Sequence, residues 1–438
     1  ASGTSSNVIV GGIGAGEGNK IASNKGSGVN ISSASNSNFV IRGNSIVNNV
    51  NLGIDLGNNG PTDNDLPTAF DVDTGANGLQ NFPRRTTLTK CDGTTTETRT
   101  VLRSIANTTY DIDFYANPSG RDPTGYGEGE QYVSSTTVTT DDNGYASITS
   151  PAGVTNMSMT ATDPNGNTSE FSNERAVTIS GCGITKKTTN DNTPPLSGTV
   201  SLSGFTAGIA PTSATISVAG QSVPATISGS TWTVPDNTLT SIADGTYDVT
   251  MTIADPESKM TTSYTKAGAL SIDSTQPTAS MTRKSGQSAY TNTSSAWFTL
   301  TLSEAAATGT LTASDINLGT TTGTVTIFTQ IDATHYEFEV TGMTSGNTVT
   351  PSIAANGFTD SNGNGNTAST GDANNWVMYD TTAPQAFAIN VDITSSGHNL
   401  DNPLISWSTT DGQSGIDHYT MSVDGGVFTT VSSPQSLI

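Results

Sequence analysis

The chain has 438 residues, with 16 Lys and Arg against 38 Asp and Glu, which gives a formal net charge of −22 at pH 7. This excess of acid disfavours binding to nucleic acids and to anionic lipid surfaces. Charged residues make up only 12% of the chain, and the helix formers Lys, Glu and Leu are scarce, so an all-β fold of three or four domains is expected.

The first eighty residues contain an internal repeat. Residues 18–24 (GNKIASN) recur 25 positions later as GNSIVNN, and residues 28–31 (GVNI) recur at the same offset as GIDL. Residues 7–10 are echoed 31 positions later. A period near 25, with short apolar runs, Gly at corners and Asn at turns, is typical of a parallel β-helix in which each repeat forms one coil.

This stretch resembles the C-terminal coils of right-handed β-helix proteins of the pectate-lyase type. Residues 1–83 are therefore predicted to be terminal coils of a right-handed parallel β-helix. Because two coils are too few to be stable alone, we expect a longer solenoid before them or a partner that covers them.

Residues 84–190 have the alternation of polar and apolar residues of half-buried strands, with Tyr110, Ile112 and Phe114 on one face and Thr109, Asp111 and Asp113 on the other. Turn residues separate these runs. An immunoglobulin-like sandwich with six strands is predicted, at residues 100–105, 109–116, 130–140, 146–150, 156–162 and 175–180.

Three copies of the motif Asp-x-Thr-x-Pro, at residues 191–195, 273–277 and 380–384, divide the rest of the chain. Proline ends regular strands, and Asp and Thr favour turns. The spacing between the copies is about that of one immunoglobulin-like sandwich. Domains are therefore predicted at residues 191–272, 273–379 and 380–438, and the last is expected to continue beyond the chain or to be completed by another one.

Residues 296–305, 336–340 and 360–364 resemble bacterial immunoglobulin-like repeats of large adhesins. Residues 403–408 and 414–426 resemble the first half of a fibronectin type III sandwich, with Trp407 and Tyr419 as core aromatics. The resemblance implies a secreted or cell-surface bacterial protein. Its expected fold is the end of a parallel β-helix followed by tandem immunoglobulin-like β-sandwiches.

Cys91 and Cys182 are the two cysteines of the chain, and they lie near the start and the end of the predicted domain 84–190. The first and last strands of a sandwich often lie close together, so a disulfide is predicted. The alternative is two free thiols.

Calcium is the metal that the sequence favours, because Asp, Asn and Glu side chains supply oxygen ligands within Gly-containing loops. Turns select Asx and Gly as well, so ordinary β-turns are the alternative. The first residues of the three Asp-x-Thr-x-Pro motifs, here called the seam residues, either share a cation with these loops or cap turns. They are Asp191, Asp273 and Asp380. The candidate ligands are Asp163, Asn165, Asn167 and Glu170; Asp360, Asn362, Asn364 and Asn366; and Asp71, Asp73 and Asn77.

No catalytic residues are assigned, because the acidic and basic residues of the coils form no recognisable constellation. We expect a non-catalytic structural and adhesive segment that forms an extended stalk or fibre. Its expected partners are other copies, other surface proteins, or host or cell-surface glycans, with no membrane span in this segment. The alternatives are a surface-layer or sheath subunit that assembles laterally and the accessory region of a β-helix carbohydrate-active enzyme.

Overall fold

The computed structural model describes residues 5–65, 71–120, 125–205, 208–319, 322–394, 396, 403–422, 426–431 and 435–436. Within them the chain is all-β, as its composition predicts, and the helical residues belong to two short 3-10 segments. The chain divides into two compact units, residues 1–187 with 193–271 and residues 188–192 with 272–438. The domain boundaries predicted from the sequence stay predictions.

The N-terminal part of the first unit consists of short strands that pair in parallel, β1 with β4, β2 with β5 and β3 with β6. Val8 is opposite Phe39, Lys20 is opposite Ser45 and Val29 is opposite Ile54. The pairing therefore follows the repeat offsets of 31 and 25. The strands are β1 Ser6–Gly11, β2 Lys20–Ala22, β3 Val29–Ile31, β4 Ser37–Arg42, β5 Ser45–Val47 and β6 Ile54–Leu56, followed by the 3-10 segment Ala76–Leu79.

Asparagine side chains connect each turn to the corresponding turn of the next repeat. Asn44 Oδ1 accepts the backbone N–H and the side-chain amide of Asn19, at 3.0 and 3.1 Å. Asn49 Oδ1 accepts the same two groups of Asn24, at 3.1 and 2.7 Å. Asn44 and Asn49 are buried, whereas Asn19 and Asn24 are exposed, so the bonds run from surface turns to acceptors inside the repeats.

The next seven strands form two antiparallel-rich sheets, in the orders β10-β9-β12 and β11-β8-β7-β13. Each of the six predicted strands overlaps one of them. The first strand, β7, was missed because its buried positions are Arg84, Thr86 and Leu88, which do not form an apolar alternation. The strands are β7 Arg84–Thr89, β8 Thr96–Arg103, β9 Thr109–Ala116, β10 Gln131–Thr139, β11 Tyr145–Ile148, β12 Ser158–Thr162 and β13 Glu174–Ile184.

Strand β13 belongs to the sheet on both sides of the predicted boundary at residue 190. Its first half pairs in parallel with β7, and its second half, from Thr178 to Ile184, pairs antiparallel with β15. The sheet then continues through β18, β17, β16, β19 and β20. The strands are β14 Lys187–Thr189, β15 Leu196–Ser203, β16 Ser213–Val218, β17 Gln221–Ser228, β18 Thr231–Val234, β19 Gly245–Ala254 and β20 Thr261–Ile272.

Trp232 covers the place where β13 meets β15. The indole is fully buried and donates its N–H to the carbonyl of Gly183 at 3.1 Å. A Cβ on Gly198 would lie 2.0 Å from the same carbonyl oxygen and 2.6 Å from the indole ring. Only glycine fits there, because backbone and indole approach so closely.

The second unit begins with a five-stranded sheet, β25-β26-β23-β21-β29, and a three-stranded sheet, β22-β30-β27. Strict alternation buries every second residue of β23, including Phe298, which stacks on Phe338 at 5.4 Å between ring centroids. The elements are β21 Ala279–Arg283, β22 Tyr290–Thr291, β23 Ser295–Leu302, the 3-10 segment Ala313–Asp315, β24 Ile316–Asn317, β25 Thr324–Gln330, β26 His335–Thr341, β27 Thr348–Val349, β28 Ser352–Ile353, β29 Thr370–Gly371 and β30 Val377–Tyr379.

The last part of the second unit has short strands in two small sheets, β31-β32-β35 and β33-β34. The two aromatics expected in its core are in contact, with the Trp407 and Tyr419 rings 5.7 Å apart in an edge-to-face arrangement. Part of the predicted domain 380–438, including residues 397–402 and 432–434, lies outside the described residues. The strands are β31 Asn390–Asp392, β32 Leu404–Ser406, β33 Tyr419–Met421, β34 Thr429–Val431 and β35 Gln435–Ser436.

The asparagine connections generate the first prediction. Replacing Asn49 by alanine removes the acceptor of both Asn24 bonds and the amide that donates to the buried Glu128 carboxylate at 2.8 Å. The opening free energy of β2 and β5 should therefore fall by about 1–3 kcal/mol. Hydrogen exchange of the amides in these two strands measures it. The matched control Asn51→Ala removes an exposed side chain and should change the same quantity by less than about 0.5 kcal/mol. Equal effects of the two substitutions would contradict the assignment.

Candidate metal centres

The predicted calcium loop at residues 163–170 does not gather its four predicted ligands. The Asp163 carboxylate accepts the backbone N–H groups two and four residues later, at 2.9 and 2.8 Å, and the side-chain amides of both Asn165 and Asn167. Asn167 Oδ1 in turn accepts the backbone N–H of Asn38 at 2.7 Å. This is an Asx turn that docks on the N-terminal repeats, and calcium binding there stays a prediction.

Glu170, the fourth predicted ligand of that loop, binds backbone elsewhere. Its carboxylate oxygens accept the N–H groups of Leu56 and Thr62, each at 2.9 Å. The side chain is buried, and burial raises the pKa of Glu170 to about 7, although the two backbone N–H groups act in the opposite direction. Glu170 therefore connects the loop between β12 and β13 to β6 and to the segment that follows β6.

The predicted loop at residues 360–366 turns in the same way but faces other carboxylates. Asp360 Oδ1 accepts the N–H groups two and four residues later, at 2.8 and 2.9 Å. Asn362 donates its amide to the carboxylate of Asp273 at 2.6 Å, and Asn364 donates to the Asp273 carbonyl at 2.8 Å. Carboxylate oxygens of Asp273, Glu304 and Asp360 lie within 4.8 Å of one another. The loop thus meets a seam aspartate, and its calcium binding stays a prediction.

Two predicted asparagine ligands are buried supports of the backbone. Asn366 Oδ1 accepts the N–H of Phe358 at 2.8 Å. Asn77 Oδ1 accepts the N–H of Phe39 at 2.9 Å, while its amide donates to the carbonyls of Phe39 and Thr168, both at 2.9 Å. Both side chains are fully buried. Their oxygens serve backbone N–H groups, so they do not face the carboxylates near them in the sequence.

The third predicted set keeps Asp71 and Asp73 but has Asp65 in the place of Asn77. Carboxylate oxygens of these three aspartates lie within 4.8 Å of one another. The sequence analysis missed Asp65 as a member of this set, although the pattern Asp-Asn-Asp at residues 63–65 is a signal that could have pointed to it.

The seam aspartates Asp273 and Asp380 cap turns. Asp273 Oδ1 accepts the N–H of Thr275 at 3.3 Å, and Asp380 Oδ1 accepts the N–H of Thr382 at 2.8 Å. These bonds explain why Asp precedes Thr by two positions in the repeated motif.

The structure joins Cys91 and Cys182 in a disulfide, with their Cα atoms 5.6 Å apart. Cys182 lies in β13, and Cys91 follows β7, the strand that pairs with β13. The backbone N–H of Cys91 also donates to Thr262 Oγ1 of β20 at 2.9 Å. The bridge therefore lies where the strands before and after residue 190 come together.

A buried ionic network, which the sequence analysis missed, lies at the same junction. Arg175 pairs with Asp255 and, at 3.1 Å, with Glu257, and Arg84 pairs with Glu257 at 3.2 Å. All four side chains are at most 6% exposed. Arg103 adds bonds to the carbonyls of residues 256 and 257, at 2.7 and 3.1 Å. Because a buried charge without its partner is costly, this network fixes how the two groups of strands dock.

A second ionic contact joins the N-terminal repeats to the first sandwich. The guanidinium of Arg42 binds Asp113 at 2.7 and 2.9 Å and Asp111 at 2.6 Å. Asp113 was predicted on the polar face of its strand, yet its side chain is 1% exposed. The preceding repeats therefore cover the polar face of β9 at Asp113 and supply the cation there, whereas Asp111 stays 42% exposed.

The ionic network generates a prediction for Arg175. Arg175→Met leaves Asp255 buried without its cation, so unfolding of the first unit should become easier by about 3–5 kcal/mol. The control Arg85→Met breaks a pair with Glu174 whose side chains are 40% and 38% exposed, and it should cost less than about 1 kcal/mol.

Tryptophan fluorescence during urea denaturation measures this difference. The background protein carries Trp→Phe substitutions at positions 297, 376 and 407, so that Trp232 is its one reporter. Similar losses of stability for the two arginine variants would show that the network does not hold the junction.

Glu170 generates a prediction of pH dependence. Its pKa is about 7 in the folded chain and about 4.3 in an unfolded one, so the folded chain binds the proton more tightly. Protonation therefore stabilises the fold, fully below about pH 4, and this contribution is lost as the pH rises through about 7. The comparison is made in the presence of a chelator, which removes bound metal ions. Between pH 5 and pH 8, the melting temperature of Glu170→Gln should fall less than that of the unsubstituted chain. Calorimetry with an identical fall in both proteins would refute the assignment.

No protein-family model matches the chain, and no curated protein matches it. Among solved structures, it is similar to a protein from Corynebacterium diphtheriae described as membrane anchored, with 8% identity and a TM-score of 0.20, over 78% of this chain and 91% of that one. It is also similar to three N-terminal domains of the outer capsid protein Hoc of bacteriophage RB49, with 10% identity and a TM-score of 0.22, over 63% and 91%.

A third similar structure is that of the four N-terminal immunoglobulin domains of Dscam1, with 11% identity and a TM-score of 0.17, over 82% of this chain and 92% of that one. TM-scores of this size assign neither a fold family nor a function to the chain.

Proposed function

We propose that the chain is a non-catalytic, extracellular structural and adhesive segment of a large bacterial surface protein. The observation that carries this proposal is the way its β-modules are joined. In the first unit, an ion pair of Arg42 joins the N-terminal repeats to the strands before residue 187. Buried ion pairs and one continuous sheet join those strands to the strands after residue 193. Such joints transmit force from one module to the next.

The N-terminal repeats belong in this proposal as the last coils of a parallel β-helix. Three parallel strand pairs at offsets of 31 and 25 residues and the asparagine bonds between equivalent turns support that assignment. Stacking of equivalent side chains on successive coils is what a solenoid requires.

The ionisable residues of the coils support a non-catalytic role, because several of them hold the fold together. Arg42 binds the two aspartates of β9. Glu17 accepts the backbone N–H of Gly14 at 2.9 Å within its own turn. Asp55 is buried and accepts the hydroxyl of Ser27 at 3.0 Å. A groove that cleaves polysaccharide needs carboxylates free to reach the substrate, whereas these are engaged within the chain.

An extracellular location is supported by the disulfide, since disulfides persist in oxidising compartments. Among the described residues, no helix is long and apolar enough to cross a bilayer. The proposed partners are other copies of the chain, other surface proteins, or host or cell-surface glycans, and the role proposed for the assembled modules is that of an extended stalk or fibre.

Small-angle X-ray scattering of the 438-residue chain tests the stalk directly. A compact globule of this length has a radius of gyration of about 22 Å, and we expect a value at least about 1.5 times larger. A value near that of a globule would contradict the proposal. Growth of the particles with concentration would favour the laterally assembling subunit instead.

A further inference from the structure

The segment between the last N-terminal strand β6 and the first sandwich strand β7 contains three aspartates whose carboxylates converge. Oxygens of Asp65, Asp71 and Asp73 lie within 4.8 Å of one another. Two ligand oxygens on opposite sides of a calcium ion are also about 4.8 Å apart, since each lies about 2.4 Å from the ion. One cation therefore has room to contact all three.

Asp71 supplies an independent observation that points to a ligand. The residue is 8% exposed. Its Oδ2 is saturated, because it accepts the amide of Gln80 at 2.8 Å, the N–H of Asn81 at 3.3 Å and the hydroxyl of Ser104. Its Oδ1 is buried and has no donor among the residues that the structure describes. A buried carboxylate oxygen without a donor is costly, and a cation removes that cost.

Asp73 also has a buried carboxylate oxygen without a donor, and Asp65 holds the backbone next to it. Asp73 Oδ1 is likewise buried and has no donor within the described part of the chain. Asp65 Oδ2 accepts the backbone N–H of Val72 at 2.8 Å and that of Asp73 at 3.4 Å, so the segment that carries the other two carboxylates is held against it. Asp65 is thus held by backbone N–H groups, and Asp71 is held by Gln80, Asn81 and Ser104.

We propose that Asp65, Asp71 and Asp73 bind one divalent cation, with calcium as the preferred ion. Carboxylate oxygens suit hard cations, and calcium accepts the irregular ligand geometry of a loop, whereas magnesium requires a near-ideal octahedron and keeps most of its water. The other acidic set, Asp273 with Glu304 and Asp360, carries no such inference.

The bound ion has a structural consequence for the joint. Asp71 is linked through Ser104 to the hydroxyl of Tyr110 in β9, at 2.7 Å between the two hydroxyl oxygens. Asn81 donates its side-chain amide to the carbonyl of Arg103 at 3.0 Å. The cation therefore holds residues 71–81 against the strands β8 and β9. This inference stands apart from the proposed function, since a site of this kind suits a protein of any activity.

Hydrogen exchange of the full chain, first treated with EDTA and then titrated with calcium chloride, tests the site. At a calcium concentration about ten times the Kd, opening of the segment should become about tenfold rarer, and the amides of residues 71–82 should exchange correspondingly more slowly. Asp65→Asn and Asp73→Asn should lose this protection. Asp142→Asn, which removes an exposed aspartate of another loop, should keep it.

Asp71→Asn separates a metal ligand from a merely structural residue. Without calcium, its amide donates to the neighbouring carboxylates and removes a buried charge, so the variant should melt at or above the temperature of the unsubstituted chain. With calcium the order should reverse. No protection of residues 71–82 by calcium, magnesium or manganese, or protection that survives in Asp73→Asn, would overturn the proposal. Either result would leave the proposed stalk to be judged by scattering alone.

Discussion

The structure of the first unit depends on the burial of Arg84 and Arg175 against Asp255 and Glu257. These four charges are almost fully removed from water, and each is tolerable only with its partner in place. The arginines belong to β7 and β13, whereas the carboxylates follow β19. The two groups of strands must therefore dock in one way, and β13, the disulfide and Trp232 reinforce that arrangement. A buried network of this kind is weak evidence for net stability, and we infer that it contributes specificity of docking.

Three turns that begin with an aspartate hold neighbouring segments together by different contacts. Asp163 and Asp255 each begin a turn directly after a strand, and Asp360 begins one after an isolated bridge residue. Each of the three turns contacts a segment earlier in the chain. The turn at Asp163 bonds to the backbone of Asn38, the turn at Asp255 holds the Arg175 side chain, and the turn at Asp360 meets Asp273. The residues that follow the aspartate determine which contacts each turn makes. Asn two positions after the aspartate gives an Asx turn at Asp163 and Asp360, whereas Glu257 at the same position supplies a second carboxylate for arginine.

Local pattern was enough to predict much of the fold, and long-range pairing explains the rest. The repeats of 25 and 31 residues predicted the parallel register, and period-two alternation located most strands of residues 100–184. Strand β7 escaped detection because its buried residues include the polar Arg84 and Thr86. The burial of Arg84 is explained by Glu257, which is 173 residues away. Glu170 was assigned to the nearest loop for the same reason, although its partners at residues 56 and 62 lie more than 100 residues earlier.

Native-state hydrogen exchange in increasing urea tests most directly whether the buried network makes one body of these strands. The account predicts that amides of β9, β12 and β13 and those of β16, β18 and β19 converge on one opening free energy and one urea dependence, because neither group can expose the network alone. If β16, β18 and β19 open separately, at a lower free energy and with a smaller urea dependence, the junction is only a contact between independent modules and the account is wrong.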